Sequence, residues 1–271
     1  MKGVFSELLG SHSQMLRLAN KPNALQQVST AIMIICNSRE YIFIHLHKTG
    51  GSSLEIAVEP TLKWNDLLLG STPIGEELDK YYLKKFKLHK HSSLSEVLAT
   101  CENPNFHNYR YLSIVRHPLE RALSLFRFIS GIIDKYSINT GLTLPELSQD
   151  YDNSKHLFWP LQWPAGEAYI KATGDLNEFF KQDALKRERA MKTQYSQLAL
   201  GSNLPEQLRI IKLEELASCK NVISDYTGKT LAIPHENKSS PGKACIESLS
   251  EHSLGHLREI FAEDYLAFNY A

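Results

Sequence analysis

The stretch Tyr41–Pro60, YIFIHLHKTGGSSLEIAVEP, decides the fold. Its first six residues, Tyr41–Leu46, are aromatic, apolar and β-branched, which predicts a short buried strand. A loop of Lys, Thr, Gly and Ser follows at His47–Ser53, and Leu54–Val58 predicts a helix that ends near Pro60. A strand that leads through a glycine-rich loop into a helix N-terminus is a generic anion-binding unit, because free N–H groups and the helix dipole favour negative charge.

The loop also carries groups that suit a phosphate. Lys48 adds a full positive charge, Gly50 and Gly51 let the backbone approach closely, and further donors come from the hydroxyls of Thr49, Ser52 and Ser53. The loop is not a Walker A motif, because Lys48 precedes both glycines instead of following them. An ordinary glycine-rich turn with a surface lysine is the alternative that the local composition leaves open.

Composition and charge narrow the class of protein. The chain has 271 residues, of which 42% are hydrophobic and 22% are charged, which is typical of a soluble globular protein. Its 30 basic and 30 acidic residues cancel, and this disfavours a nucleic-acid partner. The apolar run Ala31–Cys36 is too short to span a bilayer, and no secretion signal precedes it. With four scattered cysteines, these features predict a cytoplasmic protein without a membrane partner.

The organisation of the chain favours a single domain over residues 1–271. Residues 1–28 form an N-terminal extension with a weak helical pattern. Residues 137–166 are turn-rich and aromatic without a clear period, which predicts an irregular excursion on the substrate side. Within it, Trp159 and Trp163 are interpreted either as core residues or as a stacking platform for a sugar ring. Trp64 is predicted to pack on the core.

A second strand, basic turn and helix follow further along the chain. Tyr111–Val115 predicts a strand, Arg116 comes directly after it, and Pro118 suits the first turn of a helix over Leu119–Ile129. Ligands of open α/β sheets collect at the carboxyl ends of the strands. Arg116 is therefore a candidate ligand-binding residue.

Two histidines lie between these units. His89 and His91 are two residues apart, and on an extended segment such residues point the same way. They would then face one cleft, ahead of a helix over Leu94–Thr100 that a serine caps. The alternative is that they are surface residues beside the lysine-rich stretch Lys80–Lys90.

Three stretches together resemble the PAPS-dependent sulfotransferases, where PAPS is 3′-phosphoadenosine-5′-phosphosulfate. They are similar above all to the carbohydrate type, which includes heparan sulfate 2-O-sulfotransferase and bacterial relatives. The resemblance covers Tyr41 to the C-terminus, and its stretches are FIHLHKTGGSSL, YLSIVRHPLERALSLF, and the series RIIKLEEL, PHENKSS and FAEDYLAFNY. It implies a three-layer α/β, P-loop-like fold with a central, mainly parallel sheet flanked by helices. The sequence departs from the family pattern at His47, where proline is usual, and at His117, where Asn or Asp is common.

The resemblance also implies a reaction and a set of roles. A sulfuryl group would pass from PAPS to the hydroxyl of a carbohydrate or small metabolite by in-line displacement, with PAP (3′-phosphoadenosine 5′-phosphate) as product and no metal. Lys48 and the loop N–H groups of Thr49, Gly50, Gly51, Ser52 and Ser53 would hold the phosphosulfate. Arg116 and Ser124 would bind the 3′-phosphate, and His91 would be the general base with His89 beside it. The PHENKSS loop would wrap the nucleotide through Asn237, Lys238 and Ser239.

Two other functions compete with this interpretation. A nucleotide kinase would need a Walker B aspartate at the end of a strand, but YLSIV is followed by Arg and LRIIKL by Glu. A non-catalytic module on the same fold would bind an anionic glycan without turnover. The sequence leaves open the identity of the acceptor, the oligomeric state and which of the two histidines is the base.

Overall fold

A computed structural model describes residues 32–70, 72–231 and 244–271. Two of the predictions concern residues outside these ranges. The N-terminal extension at residues 1–28 and the loop residues Asn237, Lys238 and Ser239 lie outside the described residues.

Five strands form one sheet in the order β3-β1-β2-β4-β5. The strands are β1 (Ile32–Cys36), β2 (Tyr41–Ile44), β3 (Leu67–Gly70), β4 (Arg110–Val115) and β5 (Leu208–Lys212). β2, β4 and β5 pair in parallel, whereas β1 is antiparallel to both of its neighbours. The sheet is therefore mixed, and the expected mainly parallel sheet is confirmed only in part. The short turn Asn37–Glu40 explains the difference, because a hairpin of this length joins only antiparallel strands.

Helices lie on both faces of the sheet. The residues of β2 alternate between two separate hydrophobic clusters, Ile42 and Ile44 in one, Tyr41 and Phe43 in the other. In order along the described chain, the helices are α1 (Gly51–Val58), α2 (Pro73–Phe86), α3 (Leu94–Cys101), α4 (Pro118–Thr140), α5 (Leu144–Gln149), α6 (Tyr151–Ser154), α7 (Pro164–Lys171), α8 (Leu176–Phe180), α9 (Gln194–Leu198), α10 (Lys220–Thr227), α11 (Glu251–Ile260) and α12 (Ala262–Phe268). Side chains of α3 and α12 join the first cluster, and those of α1 and α10 join the second. The predicted three-layer arrangement follows from this alternation.

A third hydrophobic cluster surrounds α4, which runs on well past the predicted end at Ile129. The segment 137–166, for which the sequence showed no period, contains the end of α4, the short helices α5 and α6, and a 3₁₀ turn at Trp159–Gln162. Helices of six and four residues are too short to show a 3.6-residue period, which explains the difference. Leu147 and Leu161 anchor this segment in the third cluster.

The parallel pairing of β2 with β4 places the candidate site. Both strands end at the same edge of the sheet, and each continues through a loop into a helix, β2 into α1 and β4 into α4. The loops that carry Lys48 and Arg116 therefore lie side by side at the carboxyl edge. No helix in the described part of the chain has the length and apolar character that a membrane span requires.

Candidate functional site

The loop between β2 and α1 makes a tight turn in which both glycines are required. Lys48 and Gly50 have left-handed backbone conformations, with φ angles of 63° and 78°. A Cβ atom on Gly51 would lie 2.6 Å from the ring of His45, and one on Gly50 would lie 2.7 Å from the Leu213 side chain. The Thr49 hydroxyl donates to the Leu46 carbonyl at 2.9 Å, so of the two donors on Thr49 the backbone N–H is the one that remains for a ligand.

The ammonium group of Lys48 lies against an aromatic ring. Its Nζ atom lies 3.8 Å from the ring centroid of Phe128 on α4. Among the described residues, no carboxylate lies within ion-pair distance of this ammonium group. Burial, assisted by the positive charge of Arg116, lowers the pKa of Lys48 to about 7. An anion bound here would restore the charged form of the lysine.

Arg116 lies directly beside the loop. Its Nη1 atom donates to the Lys48 carbonyl at 3.4 Å, and its Nη2 atom contacts Glu120 at 3.2 Å. Glu120 also accepts a hydrogen bond from Arg127 at 3.2 Å. Two guanidinium groups therefore share the Glu120 carboxylate, and Glu214 also acts on the charge of Arg116.

A buried glutamine clamps the backbone of Arg116. Gln194, at the start of α9, accepts from the Arg116 N–H at 2.8 Å and donates to the Arg116 carbonyl at 2.9 Å. The next N–H, that of His117, donates to Glu214 at 2.8 Å. These bonds fix the turn after β4 before any ligand binds. Ser124 lies further along α4, buried and one turn before Phe128.

His91 is hydrogen-bonded to the backbone of β2's extension. Its Nδ1 atom lies 3.1 Å from the carbonyl oxygen of His45. Because a carbonyl only accepts, Nδ1 carries the proton, and Nε2 of the neutral ring keeps a free lone pair. The pKa of His91 is well below its ordinary value, mainly because of burial and to a smaller extent because of the nearby His47 and His45 rings. The ring is therefore neutral at pH 7 and in the tautomer that a general base needs.

Two further histidines support this ring. His47 stacks on His91 with ring centroids 3.4 Å apart and an interplanar angle of 23°. His45 meets His91 edge-on at 5.2 Å, and its Nδ1 atom lies 2.7 Å from the fully buried carboxylate of Glu55 on α1. The Glu55 contact ties the strand end to the first turns of the helix. Burial lowers the pKa of His47 well below its ordinary value, so this ring is neutral as well.

His89 is engaged by two donors. The His91 N–H lies 3.1 Å from its Nδ1 atom, and Nη1 of Arg189 lies 2.8 Å from its Nε2 atom. A neutral imidazole has one acceptor nitrogen, so the ring accepts from one of these donors at a time. Burial and the charge of Arg189 lower the pKa of His89 to about 4. Arg189 is itself paired with Glu96 on α3.

The turn that carries both histidines is fixed from α2. Asp79 accepts from the Lys90 N–H at 2.5 Å, and Glu76 binds the Lys90 ammonium at 2.9 Å. Ser93 caps α3 in a capping box with Glu96, as the sequence predicted for a serine at this position. Lys90 is thus held within the fold by acidic side chains of α2.

The structure brings Lys48, Arg116 and His91 together around one loop, and His89 adjoins His91. Several residues at this site were not predicted: Phe128, Gln194, Arg189 and the pair His45–Glu55. Of these residues, only His45 had a signal in the sequence, because the spacing of HLH at residues 45–47 repeats that of HKH at residues 89–91. Within the ranges that the structure describes, no group of three or more His, Cys, Asp or Glu side chains is arranged to hold a metal ion.

The fold and this edge of the sheet define an α/β protein in which a glycine-containing loop joins a strand to a helix, an arrangement that suits anions. The chain belongs to the sulfotransferase family, since a model described as "Sulfotransferase family" matches residues 22–271. The resemblance carried by the sequence motifs is thereby confirmed at the level of the family. The family's activity is the transfer of a sulfuryl group to an acceptor, which makes the chain an enzyme of that general class. A search of curated proteins and a search of solved structures found no match.

The buried neutral histidines predict a loss of stability in acid. Below the ordinary pKa of about 6.5, the unfolded chain takes up a proton at His91 that the folded chain refuses. The free energy of unfolding should therefore fall as the pH drops from 7 to 5, by at most about 1.4 kcal/mol per pH unit for this residue. Denaturant unfolding at several pH values measures the slope.

Two variants make this measurement specific. His91→Asn removes the buried imidazole and should make the free energy of unfolding fall less steeply between pH 6.5 and pH 5. His256→Asn changes an exposed histidine on α11 and should leave the fall unchanged. An identical slope in wild type and His91→Asn would contradict the buried neutral state of His91.

Proposed function

We propose that the chain transfers the sulfuryl group of PAPS to a hydroxyl of a carbohydrate or small metabolite. The observation that carries this proposal is the convergence of three different groups on one loop. Lys48 belongs to the loop, Arg116 donates to the Lys48 carbonyl, and His91 bonds to the carbonyl of His45 and stacks on His47. A cation, a phosphate-binding fork and a base are the parts that this reaction needs.

The residues present suit a phosphosulfate nucleotide. When bound, PAPS supplies an activated sulfuryl group on a phosphate leaving group. The backbone N–H groups of residues 49–53 and the ammonium of Lys48 would hold its 5′ end, because this lysine is buried beside an aromatic ring without a carboxylate partner in the described chain. Arg116 and Ser124 would bind the 3′-phosphate. The same role is proposed for Asn237, Lys238 and Ser239, which lie outside the described residues.

The proposed displacement assigns a step to each residue. The acceptor oxygen forms a bond to sulfur while the bond between sulfur and the phosphate oxygen breaks, and the proton of the acceptor hydroxyl passes to Nε2 of His91. Lys48 neutralises the negative charge that builds on the leaving phosphate. Because the loop holds the reacting groups in line, the entropy cost of bringing them together is met on binding and not during the reaction.

His91 is a better general base than His89. A proton added to His91 at Nε2 leaves the bond from Nδ1 to the His45 carbonyl intact. A proton added to His89 would face either the guanidinium of Arg189 or the N–H of His91, and both are donors. We therefore assign the base to His91 and a positioning role to His89.

The two competing functions have less support. A kinase would need an aspartate at the end of a strand for Mg²⁺, but β4 is followed by Arg116, and Glu214 beyond β5 accepts from the His117 N–H. A non-catalytic module would not require a neutral imidazole in the base tautomer stacked on the first residue of the loop. The position of His91 therefore favours turnover over binding alone.

Proton uptake on nucleotide binding tests the role of Lys48. At pH 8.5 the lysine is largely uncharged in the free protein, because burial lowers its pKa to about 7. Bound phosphate raises that pKa, so binding of PAP should take up close to one proton per site. Calorimetric titration in buffers of different ionisation enthalpy counts these protons. The Lys48→Arg variant keeps a charge that does not titrate, so it should bind PAP without proton uptake; equal uptake in both proteins would place the titrating group elsewhere.

Transfer of radiolabelled sulfate tests His91 against His89. With [³⁵S]PAPS and a panel of pyranosides, phenols and open-chain polyols, His91→Asn should lower the turnover number by roughly 10²- to 10⁴-fold, the range typical of a lost general base. His89→Asn should raise KM or lower turnover far less. Both variants should still bind PAP, which shows that they fold. Full activity of His91→Asn, or the reverse ranking of the two, would overturn the assignment.

A further inference from the structure

A row of aromatic rings begins at Lys48 and ends at the protein surface. Lys48 Nζ lies over Phe128, and Phe128 stacks on Trp163 with centroids 6.2 Å apart and an interplanar angle of 17°. Trp163 in turn meets Trp159 edge-on at 4.4 Å. We call Phe128, Trp163 and Trp159 the aromatic row. It connects the candidate sulfuryl site to residues 159–163 by direct ring contacts.

Packing of the core does not account for the row. Phe128 and Trp163 are only partly buried, and Trp159 is 38% exposed. Trp163 packs against the third hydrophobic cluster and yet remains partly exposed to solvent. Exposed aromatic surface of this kind is available to stack against a ligand ring.

The row is held in place before any ligand binds. Trp159 opens the 3₁₀ turn Trp159–Gln162, and the Trp163 N–H donates to the Pro160 carbonyl at 3.2 Å. A Cβ atom on Gly166 would lie 1.9 Å from that same carbonyl oxygen, so α7 packs directly on the turn. The Ala165 N–H donates to Glu188 at 3.1 Å. A platform fixed in this way binds a ring with little loss of conformational entropy.

We propose that the aromatic row is the acceptor subsite and stacks the apolar face of a pyranose ring. This inference rests on the proposed function and adds to it the residues that select the acceptor. The two indole planes are inclined at 66°, so a sugar ring would stack on the exposed face of one of them. Phe128 joins this pair to Lys48, so a hydroxyl group on the rim of the sugar would be directed toward the loop. Gln162, exposed in the same turn, offers an amide to the hydroxyl groups on the outer side.

Transfer assays on tryptophan variants test the subsite. The chain contains three tryptophans, and Trp64 is a matched control because it is 95% exposed in the turn before β3, contrary to its predicted place in the core. Trp159→Ala should raise KM for a pyranoside, such as methyl β-D-glucopyranoside or its epimers, by roughly 10- to 100-fold, as the loss of an aromatic anchor does. Trp159→Phe should retain most of the affinity, and Trp64→Ala all of it.

Acceptor chemistry separates stacking from a general structural effect. Transfer to glycerol, which has no ring to stack, should fall far less in Trp159→Ala than transfer to the pyranosides, and PAP binding should be retained. An equal loss with glycerol and pyranosides would overturn the subsite. The assignment to a sugar ring would be overturned if the wild-type enzyme sulfated 4-methylphenol but none of the pyranosides. It would also be overturned if the wild-type enzyme bound PAP and sulfated none of these acceptors. A wild-type chain that does not bind PAP would instead contradict the proposed function itself.

Discussion

The site depends on a partly buried lysine that, among the described residues, has an aromatic ring and no carboxylate beside its ammonium group. Placing the Lys48 ammonium against Phe128 costs solvation, and the low pKa of Lys48 is a measure of that cost. A carboxylate partner would recover the cost but would also compete with any anionic ligand. Arg116 differs from Lys48, since it has a carboxylate partner, Glu120, which it shares with Arg127. This arrangement leaves the Lys48 ammonium group suited to the anionic ligand proposed for it.

The rest of the fold holds these cations in position. Asp264 on α12 accepts from Gln194 at 3.2 Å and from the Tyr195 N–H at 2.8 Å, and Gln194 clamps the backbone of Arg116. Asp264 in turn faces the fully buried Arg121 of α4 at 3.8 Å. A chain of buried polar contacts thus runs from the C-terminal helix to the turn after β4. Removing one member would leave its buried partners without hydrogen bonds, so the position of Arg116 depends on residues far from it.

His45, His47 and His91 have the same side chain but make different contacts. His45, bound to Glu55, secures the strand end to α1, and its carbonyl sets the tautomer of His91. His47 stacks on His91 at the position where the related sulfotransferases usually have proline. A flat imidazole at that position packs against the His91 ring and places no charge beside it, because burial keeps His47 neutral.

The sequence could predict the two strand–loop–helix units because their signals are local: buried strands, glycines and a proline at a helix start. Lys48, Arg116 and His91 followed from these units and from the family pattern. Arg189 and Phe128 could not be predicted, since their contacts join residues far apart in sequence and depend on how the helices pack. The antiparallel β1 was implied by its short turn, whereas the exposure of Trp64 gave no local signal, because hydrophobicity alone does not determine burial.

The most direct test of the central claim is whether the site recognises a 3′-phosphate through Arg116. Calorimetry with PAP and AMP compares two ligands that differ by that phosphate. We expect wild type to bind PAP at least tenfold more tightly than AMP. Arg116→Ala should lose this difference while it still binds AMP, and the exposed control Arg209→Ala should keep it. Equal affinity for PAP and AMP in wild type, or equal losses for both ligands in Arg116→Ala, would contradict the account.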